Sequence, residues 1–293
     1  MFEGAHTALV TPFNEKGMIA PDAYRALIDK QFDNGIKGIV PVGTTGESAT
    51  LSTEEHQLVI EMAVKQTAKR GLVIAGTGSN STREAIDLTQ AAELAGADAA
   101  LLVTPYYNKP SQEGLYQHYR AIARSTELPL MLYSIPGRCH IQIDVETVVR
   151  LAEFPNIRAI KEAGGVTERV VQLRAALPPD FEILSGDDVL TVDFMKAGAV
   201  GVVSVASNLI PGAMADLTRA MLEGRVADAE AIHDKYAGLF SAFLKLDTNP
   251  VPIKAALGLT GECQPRLRLP MVEMSDDKVA ELRSTLLSLG LVS

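Results

Sequence analysis

The feature that most restricts the fold of this chain is an alternation, repeated eight times, of a short apolar run with a longer amphipathic segment. The runs are continuously apolar or β-branched rather than strictly alternating, which is typical of strands in a parallel sheet that is covered on both faces. They are HTALVTPF from His6, GIVPVGTT from Gly38, LVIAGTG from Leu72, AALLVTPYY from Ala99, LPLMLYSIP from Leu128, IRAIKEAG from Ile157, EILSGDD from Glu182 and GVVSVASN from Gly201.

Helix signals fill the intervals between these runs. Ser81 and Asp144 are residue types that cap the start of a helix, and Gly96 is of the type that ends one. Eight strand–helix units predict an α/β fold of the (β/α)8 TIM-barrel class, with a doubly wound open sheet as the alternative. Only helix-like segments follow the eighth unit. We therefore expect a barrel domain over residues 1–225 and a C-terminal helical domain over residues 226–293.

Composition limits the classes of partner. The chain has 36 acidic and 27 basic residues, a net charge of −9. This balance offers no electrostatic footprint for nucleic acid and no attraction to an anionic membrane. Cys139 and Cys263 fit neither a disulfide framework nor a zinc site, and no basic region precedes an apolar run at the N-terminus, so we expect a cytoplasmic protein. The uncharged stretch 197–215 contains serine, asparagine, proline and glycine, and is interpreted as a buried strand followed by a loop rather than a membrane span.

Lys161 is the most informative residue at the strand ends, where the active residues of such barrels lie. It stands inside an apolar run, where an unpaired ammonium group is costly to bury. On a strand it shares a face with Ile157, Ala159 and Ala163, and the small alanines leave room for a bound molecule. Desolvation lowers the pKa of a lysine, and a free amine attacks a carbonyl to form an imine. The alternative is a lysine that reaches solvent at the strand end or pairs with Glu162.

Hydroxyl groups and a guanidinium follow neighbouring strands. Tyr133 could exchange a proton with another hydroxyl, or simply fill the barrel mouth. Thr44 and Thr45 offer donors for a carboxylate, although turn chemistry alone also explains them. Arg138 suits a carboxylate, or is a solvated surface residue. Together with Lys161 these groups favour amine-mediated carbonyl chemistry over hydrolysis or phosphoryl transfer, since no phosphate-binding loop is complete.

Two adjacent carboxylates, Asp187 and Asp188, could bind a cation. Neighbouring residues on a strand do not face one site, so no metal site is predicted.

Four motifs carry a family resemblance: GTTGESATLS from Gly43, TPYYNKP from Thr104, YSIPGR from Tyr133 and IKEA from Ile160. In this order and spacing they resemble the dihydrodipicolinate synthase (4-hydroxy-tetrahydrodipicolinate synthase) family, within the pyruvate-dependent class I aldolase superfamily. The resemblance covers nearly the whole chain. It implies a (β/α)8 barrel with a C-terminal helical part, usually a homotetramer built as a dimer of dimers, and a reaction that needs no metal or organic cofactor.

The resemblance implies a catalytic role for four residues. Lys161 forms an imine with pyruvate, and Tyr133, Thr44 and Tyr107 form a proton relay. Tyr107 is contributed by the neighbouring subunit of a tight dimer.

It also implies a set of substrate-binding residues. Thr45, Gly186 and the backbone around Val203 bind pyruvate and the lysine region, and Arg138 holds the carboxylate of L-aspartate 4-semialdehyde. The enamine of pyruvate then attacks the aldehyde, and the substrate amine closes the ring.

Inhibition by L-lysine, the end product of the diaminopimelate route, is a further implication, because some family members bind it at the tight-dimer interface. The residue types of the sensitive members occur at Ser48, Ala49, His56, Asn80, Glu84 and Tyr106. The Glu84 carboxylate could hold an ammonium group, whereas the alternative is that Ser81 and Glu84 only begin a helix. Thr53 stands where some sensitive relatives have a histidine.

Two other functions stay open. One is a pyruvate-dependent aldolase or dehydratase acting on a sugar acid, as in N-acetylneuraminate lyases or 2-keto-3-deoxy acid aldolases. Those enzymes generally lack an arginine at the place of Arg138. The other is a barrel that only senses a keto acid. Ser134 and Cys139 depart from the asparagine and threonine that are commonest in the family.

Overall fold

Eight parallel strands close into a barrel in the computed structural model, which describes residues 1–293. Each strand pairs with the next in the chain, and the last pairs with the first. The strands are β1 (Gly4–Ala8), β2 (Gly38–Val40), β3 (Leu72–Gly76), β4 (Ala99–Val103), β5 (Leu130–Ser134), β6 (Ile157–Glu162), β7 (Glu182–Ser185) and β8 (Gly201–Ser204). All eight predicted strands and the closed barrel are confirmed.

Helices cover the outside of the barrel and form the C-terminal part. Those of the barrel are α1 (Pro21–Asp33), α2 (Thr53–Thr67), α3 (Thr82–Ala95), α4 (Gln112–Ala123), α5 (Pro136–Cys139), α6 (Val145–Leu151), α7 (Thr167–Ala176), α8 (Thr191–Lys196) and α9 (Pro211–Leu222). The C-terminal helices are α10 (Val226–Lys245), α11 (Val251–Leu259) and α12 (Asp276–Ser288).

The helix ends largely follow the capping signals. The Ser81 side chain accepts a hydrogen bond from the backbone N–H of Glu84, and Gly96 ends α3 with a left-handed φ of 89°. Asp144 occupies the N-cap position of α6, but its side chain makes no capping hydrogen bond.

Side chains from the strands fill the barrel interior and form a floor beneath the strand ends. The buried members of this cluster are Phe2, Ala8, Val40, Ile74, Ala99, Leu101, Met131, Tyr133, Ala159, Leu184 and Val203. Because they close the barrel below its carboxyl end, a bound molecule can enter only from that end.

One detail of β6 differs from the prediction. Ile157 does not share the inward face of Ala159; it packs with Ile160 in the outer cluster, under the surrounding helices. The cause is a register shift, in which one step along β5, from Leu130 to Met131, matches two steps along β6. Such a bulge reverses the alternation of faces on one side of it.

The C-terminal helices pack against the barrel and share its largest apolar cluster. Leu9 and Val10, which follow β1, lie in the same cluster as Leu239 and Phe240 of α10. The predicted division at residue 225 falls between α9 and α10 and stays a prediction.

The uncharged stretch 197–215 forms β8, a short 3₁₀ turn and the start of α9. The predicted loop therefore includes the first turn of a helix. No helix of the chain combines the length and the apolar character needed to cross a membrane.

Candidate active site

A cavity of about 190 Å³ opens at the carboxyl ends of the strands. It is lined by the ends of all eight strands or the loops after them and by two residues of the C-terminal part. Among its lining residues are Thr44, Thr45, Tyr133, Arg138, Lys161 and Gly186. Six of the eight residues proposed from sequence for catalysis and substrate binding thus meet in one cavity.

Lys161 lies on β6 and extends into the barrel mouth. Only 5% of its surface is exposed, and its Nζ lies 4.1 Å from the centroid of the Tyr133 ring. Burial lowers the pKa of Lys161 to about 8, although the negative charges of Asp187 and Asp188 act in the opposite direction. A substantial fraction of this amine is therefore unprotonated at mildly alkaline pH.

The alternative of a Lys161–Glu162 pair is wrong. The Glu162 carboxylate lies on the opposite face of β6, where it accepts hydrogen bonds from Arg169 Nε at 2.9 Å and from the backbone N–H of Gly164 at 2.8 Å. Lys161 has no ion-pair partner within 4 Å. Its amine is therefore free to react.

Gly186, after β7, is required by the close approach of its neighbours. A Cβ atom at this position would lie 3.1 Å from Lys161 Cε and 2.7 Å from the Cβ of Ala163. Val203 lies lower, in the buried cluster that floors the barrel, and Val205 rather than Val203 lines the cavity.

The turn after β2 presents two hydroxyl groups. Thr44 lines the cavity together with Tyr133. Burial raises the pKa of Tyr133, while the positive charge of Arg138 and the Thr44 hydroxyl act against this rise. The phenol is consequently protonated at neutral pH and can give a proton to a departing oxygen. Thr45 is buried, and its Oγ1 accepts a hydrogen bond from Asn249 Nδ2 at 3.0 Å.

Arg138 lies on the short helix α5 and is exposed at the mouth of the cavity. Its Nη2 donates a hydrogen bond to the backbone carbonyl of Asn249 at 2.9 Å, which leaves its other donors free. Asn249 therefore contacts both Arg138 and Thr45, yet it was not singled out from the sequence. It comes after α10, outside the strand ends to which barrel active sites are usually confined.

Tyr107 does not reach the cavity of its own chain. It is 93% exposed and has a positive φ of 73°, which turns the 106–109 loop outward. A phenol so placed can complete a site only in a second molecule.

The six residues proposed to bind L-lysine lie close together. Ser48, Ala49 and Tyr106 line a second cavity of about 350 Å³, next to the first. Asn80 Nδ2 donates to the backbone carbonyl of Tyr106 at 3.2 Å.

The remaining two residues of this group, Glu84 and His56, are electrostatically coupled. Ser79 Oγ donates a hydrogen bond to the Glu84 carboxylate. His56 Nε2 lies 2.9 Å from the carbonyl of Gly76, and burial lowers the pKa of His56 while the Glu84 charge opposes this.

The pKa of Lys161 leads to a pH-dependent prediction. Only the free amine attacks a ketone, so the rate of imine formation with pyruvate should rise with pH and level off above about 8. Asp187→Asn removes a negative charge that favours the ammonium form, and should move the midpoint to lower pH. The rate is measured by quenching with borohydride across the pH range. A midpoint near that of a free lysine, in both proteins, would contradict the proposed environment.

Comparisons with known proteins all identify the same family. The family model described as the dihydrodipicolinate synthetase family matches residues 1–289. A 4-hydroxy-tetrahydrodipicolinate synthase from Syntrophotalea carbinolica is 46% identical over 292 residues, which cover 100% of this chain and 99% of the relative.

Solved structures are similar over the same length. The 4-hydroxy-tetrahydrodipicolinate synthase of Methylacidiphilum fumariolicum has a TM-score of 0.97 at 50% identity, covering 99% of this chain and 96% of that one. The dihydrodipicolinate synthase of Acinetobacter baumannii, complexed with pyruvate, has a TM-score of 0.98 at 43% identity, with 100% of both chains covered. The enzyme of Cyanidioschyzon merolae, with lysine bound, has a TM-score of 0.95 at 41% identity and 99% coverage of both.

Proposed function

This chain belongs to the dihydrodipicolinate synthetase family, and we propose that it condenses pyruvate with L-aspartate 4-semialdehyde as a 4-hydroxy-tetrahydrodipicolinate synthase, in the diaminopimelate route to L-lysine. One observation carries this proposal: the buried, unpaired amine of Lys161 lies in the same cavity as Tyr133 and Arg138. The amine can form an imine with the ketone of pyruvate, and the guanidinium can bind the carboxylate of an amino acid. The similar structure complexed with pyruvate supports the first substrate.

The reaction begins at Lys161 Nζ, because burial favours its uncharged form. Nζ attacks the ketone carbon of pyruvate, and the ketone oxygen leaves as water after two proton transfers, which gives an imine. Loss of a methyl proton converts the imine into an enamine, whose terminal carbon attacks the aldehyde. The amine of the semialdehyde part then attacks the imine carbon, closes the ring and displaces Lys161 as the free amine.

Each proton transfer needs a group beside the reacting atoms. The protonated phenol of Tyr133 gives a proton to the departing oxygen, and the Thr44 hydroxyl then gives a proton back to the phenolate. The exposure of Tyr107 supports a third member of the relay that comes from a second copy of the chain. The active assembly is then at least a dimer, and the family's homotetramer, a dimer of dimers, is the state that we propose.

The pyruvate carboxylate is held by the turn after β2 and by the loop after β7. The buried Thr45 and Gly186 line the cavity together with Lys161, and Gly186 lies close to the Lys161 side chain. The segment after Val203 contributes Val205 to the cavity wall. We place the reaction in the cytoplasm, since both cysteines are free.

Arg138 is expected to distinguish the second substrate. A bidentate, charge-assisted contact to the semialdehyde carboxylate contributes about 1.5–3 kcal/mol per hydrogen bond. Arg138→Ala should raise the KM for the semialdehyde by about 100-fold and change the KM for pyruvate much less. Arg283, also exposed but in α12, provides a matched control in Arg283→Ala. Equal effects on both substrates would make Arg138 a structural residue instead.

The same assay separates the competing functions. The wild-type chain should consume pyruvate only when the semialdehyde is added, and should leave N-acetylneuraminate and 2-keto-3-deoxy sugar acids intact. Cleavage of a sugar acid, with no turnover of the semialdehyde, would establish the alternative aldolase. Pyruvate binding without turnover of either substrate would indicate a sensor.

L-lysine is expected to inhibit the reaction from the cavity that Ser48, Ala49 and Tyr106 line. The Glu84 carboxylate would hold an ammonium group of the ligand, so Glu84→Gln should raise the half-inhibiting concentration by about 10-fold or more. Asp87→Asn is a matched control, because this carboxylate lies on the same helix but pairs only with Arg83 at the surface. Inhibition is followed by titrating L-lysine at fixed substrates. The assignment is wrong if millimolar L-lysine leaves the wild type uninhibited, or if both variants respond alike.

A further inference from the structure

We propose that Glu47 and Lys254 are positioning residues, and that their buried ion pair fixes the turn carrying Thr44 and Thr45 in its reactive position. The turn after β2 is thereby set by the C-terminal helices and not by the barrel alone. The inference rests on the proposed function, and it concerns two residues that do not line the cavity of Lys161.

The backbone of this turn adopts conformations that it would not hold unaided. Val42 and Glu47 have positive φ angles of 50° and 55°, and a β-branched residue in this region is an outlier. Gly46 between them is packed so closely that a Cβ atom would lie 2.9 Å from Val42 N and 3.1 Å from Leu9 O. Such a backbone persists only where the surroundings determine it. The two threonines therefore depend on contacts made by the rest of the turn.

The strongest of these contacts comes from α11. The Lys254 ammonium donates a hydrogen bond to the Glu47 carboxylate, and the two side chains are 0% and 2% exposed. Lys254 Nζ also donates to the backbone carbonyl of Arg266 at 2.8 Å, and Glu47 Oε2 accepts from the backbone N–H of Arg268 at 3.1 Å. Both charges are thus bonded on more than one side. These hydrogen bonds connect the Glu47 side chain to two separate segments of the C-terminal part.

A second contact, from Asn249 just before α11, reaches the other half of the turn. Asn249 Nδ2 donates a hydrogen bond to Thr45 Oγ1 at 3.0 Å, across 204 positions of sequence. The segment from Asn249 to Lys254 therefore holds both Thr45 and Glu47.

Stability alone does not explain the pair. Replacing a buried ion pair by apolar groups of similar volume is often neutral or stabilising, whereas removing one partner is strongly destabilising. A buried pair that fixes a functional turn has a use that an apolar pair lacks, because hydrogen bonds restrict direction as well as distance.

The test replaces both charges together, as Glu47→Gln with Lys254→Met, so that no charge is left unpaired. Borohydride trapping with pyruvate counts the competent Lys161 sites, and kcat is expressed per trapped site. A displaced turn should lower this kcat by about 10- to 100-fold, while the melting temperature stays equal or rises. A purely structural pair would change the number of sites and leave the kcat of each site unchanged.

The matched control is Lys30→Met with Glu262→Gln. This half-buried pair also joins the barrel to the C-terminal part, with an Nζ to Oε2 distance of 2.6 Å, but it does not touch the Thr44 turn. We expect the kcat per site of this control to stay at the wild-type value.

Hydrogen exchange gives a readout that does not depend on the reaction. The amides of Glu47 and Ser48 are bonded to the carbonyls of Thr44 and Gly43 at 3.1 and 3.3 Å. Both amides should exchange at least about 10-fold faster in the Glu47/Lys254 double variant. Their exchange rates should be unchanged in the control. Wild-type kcat per site, or unchanged exchange, in the folded double variant overturns the inference. Failure of the proposed function would appear differently, as a wild-type chain that traps no pyruvate.

Discussion

Lys161→Ala is expected to lose more than about 10³-fold in condensation activity while remaining folded. The nucleophile is removed, and no other lysine lines the cavity to replace it. The fold should survive because the amine has no ion-pair partner, and burial lowers the pKa of Lys161, so the folded chain disfavours its charged form. Deleting the group should leave the melting temperature at pH 7 equal or higher.

The measurement compares initial rates and melting curves of Lys161→Ala with those of Lys65→Ala. Lys65 is exposed on α2, so its loss should affect neither quantity. Residual activity above about 0.1 per cent in the folded Lys161→Ala chain would mean that the imine forms elsewhere or not at all.

Tyr133→Phe is expected to lower kcat by about 10²- to 10⁴-fold, the contribution of a positioned general acid–base. The ring that packs beside the Lys161 amine is retained, so pyruvate binding should change little. Rapid-quench kinetics should show that imine formation itself becomes slow. A normal rate of imine formation in Tyr133→Phe would remove this residue from the relay.

The relay also predicts complementation between two inactive chains. Tyr107→Phe should lose activity on its own, because each site would lack its third hydroxyl. When it is mixed with Lys161→Ala and reassembled, one site of each hybrid dimer has an intact Lys161 and receives Tyr107 from the other chain. Activity should return towards about one quarter of the wild type for equal amounts and random pairing. No recovery in verified hybrids would contradict a contribution in trans, which the 93% exposure of Tyr107 suggests.

The sequence was sufficient to predict the barrel because the fold depends on a repeated local pattern. Eight continuous apolar runs with helix signals between them permit few architectures, and strand ends of such a barrel converge on one face. Lys161 could also be identified from the local pattern, since a cation inside an apolar run is costly to bury unless the site uses it. The face of β6 on which Ile157 lies was predicted wrongly, because the register shift at Met131 depends on the pairing with the neighbouring strand β5.

The parts of the site that were missed lie far from the strand ends in sequence. Asn249 contacts Thr45 across 204 positions, and Lys254 contacts Glu47 across 207. Lys254 is the only charged residue in the apolar run VPIKAALGL of α11, so its burial could have been inferred as for Lys161, but its partner Glu47 could not be read from any local pattern. The position of Tyr107 in a site could not be predicted from the local pattern for a different reason, because the site that we propose it completes belongs to a second copy of the chain.

Reduction with borohydride in the presence of pyruvate, followed by peptide mass spectrometry, tests the central proposal most directly. The amine of Lys161 is buried, unpaired and at the wall of the cavity, so we expect a single reduced pyruvate adduct on Lys161. The adduct should be absent without pyruvate and in Lys161→Ala. An unmodified Lys161, or an adduct on another lysine, would contradict the mechanism.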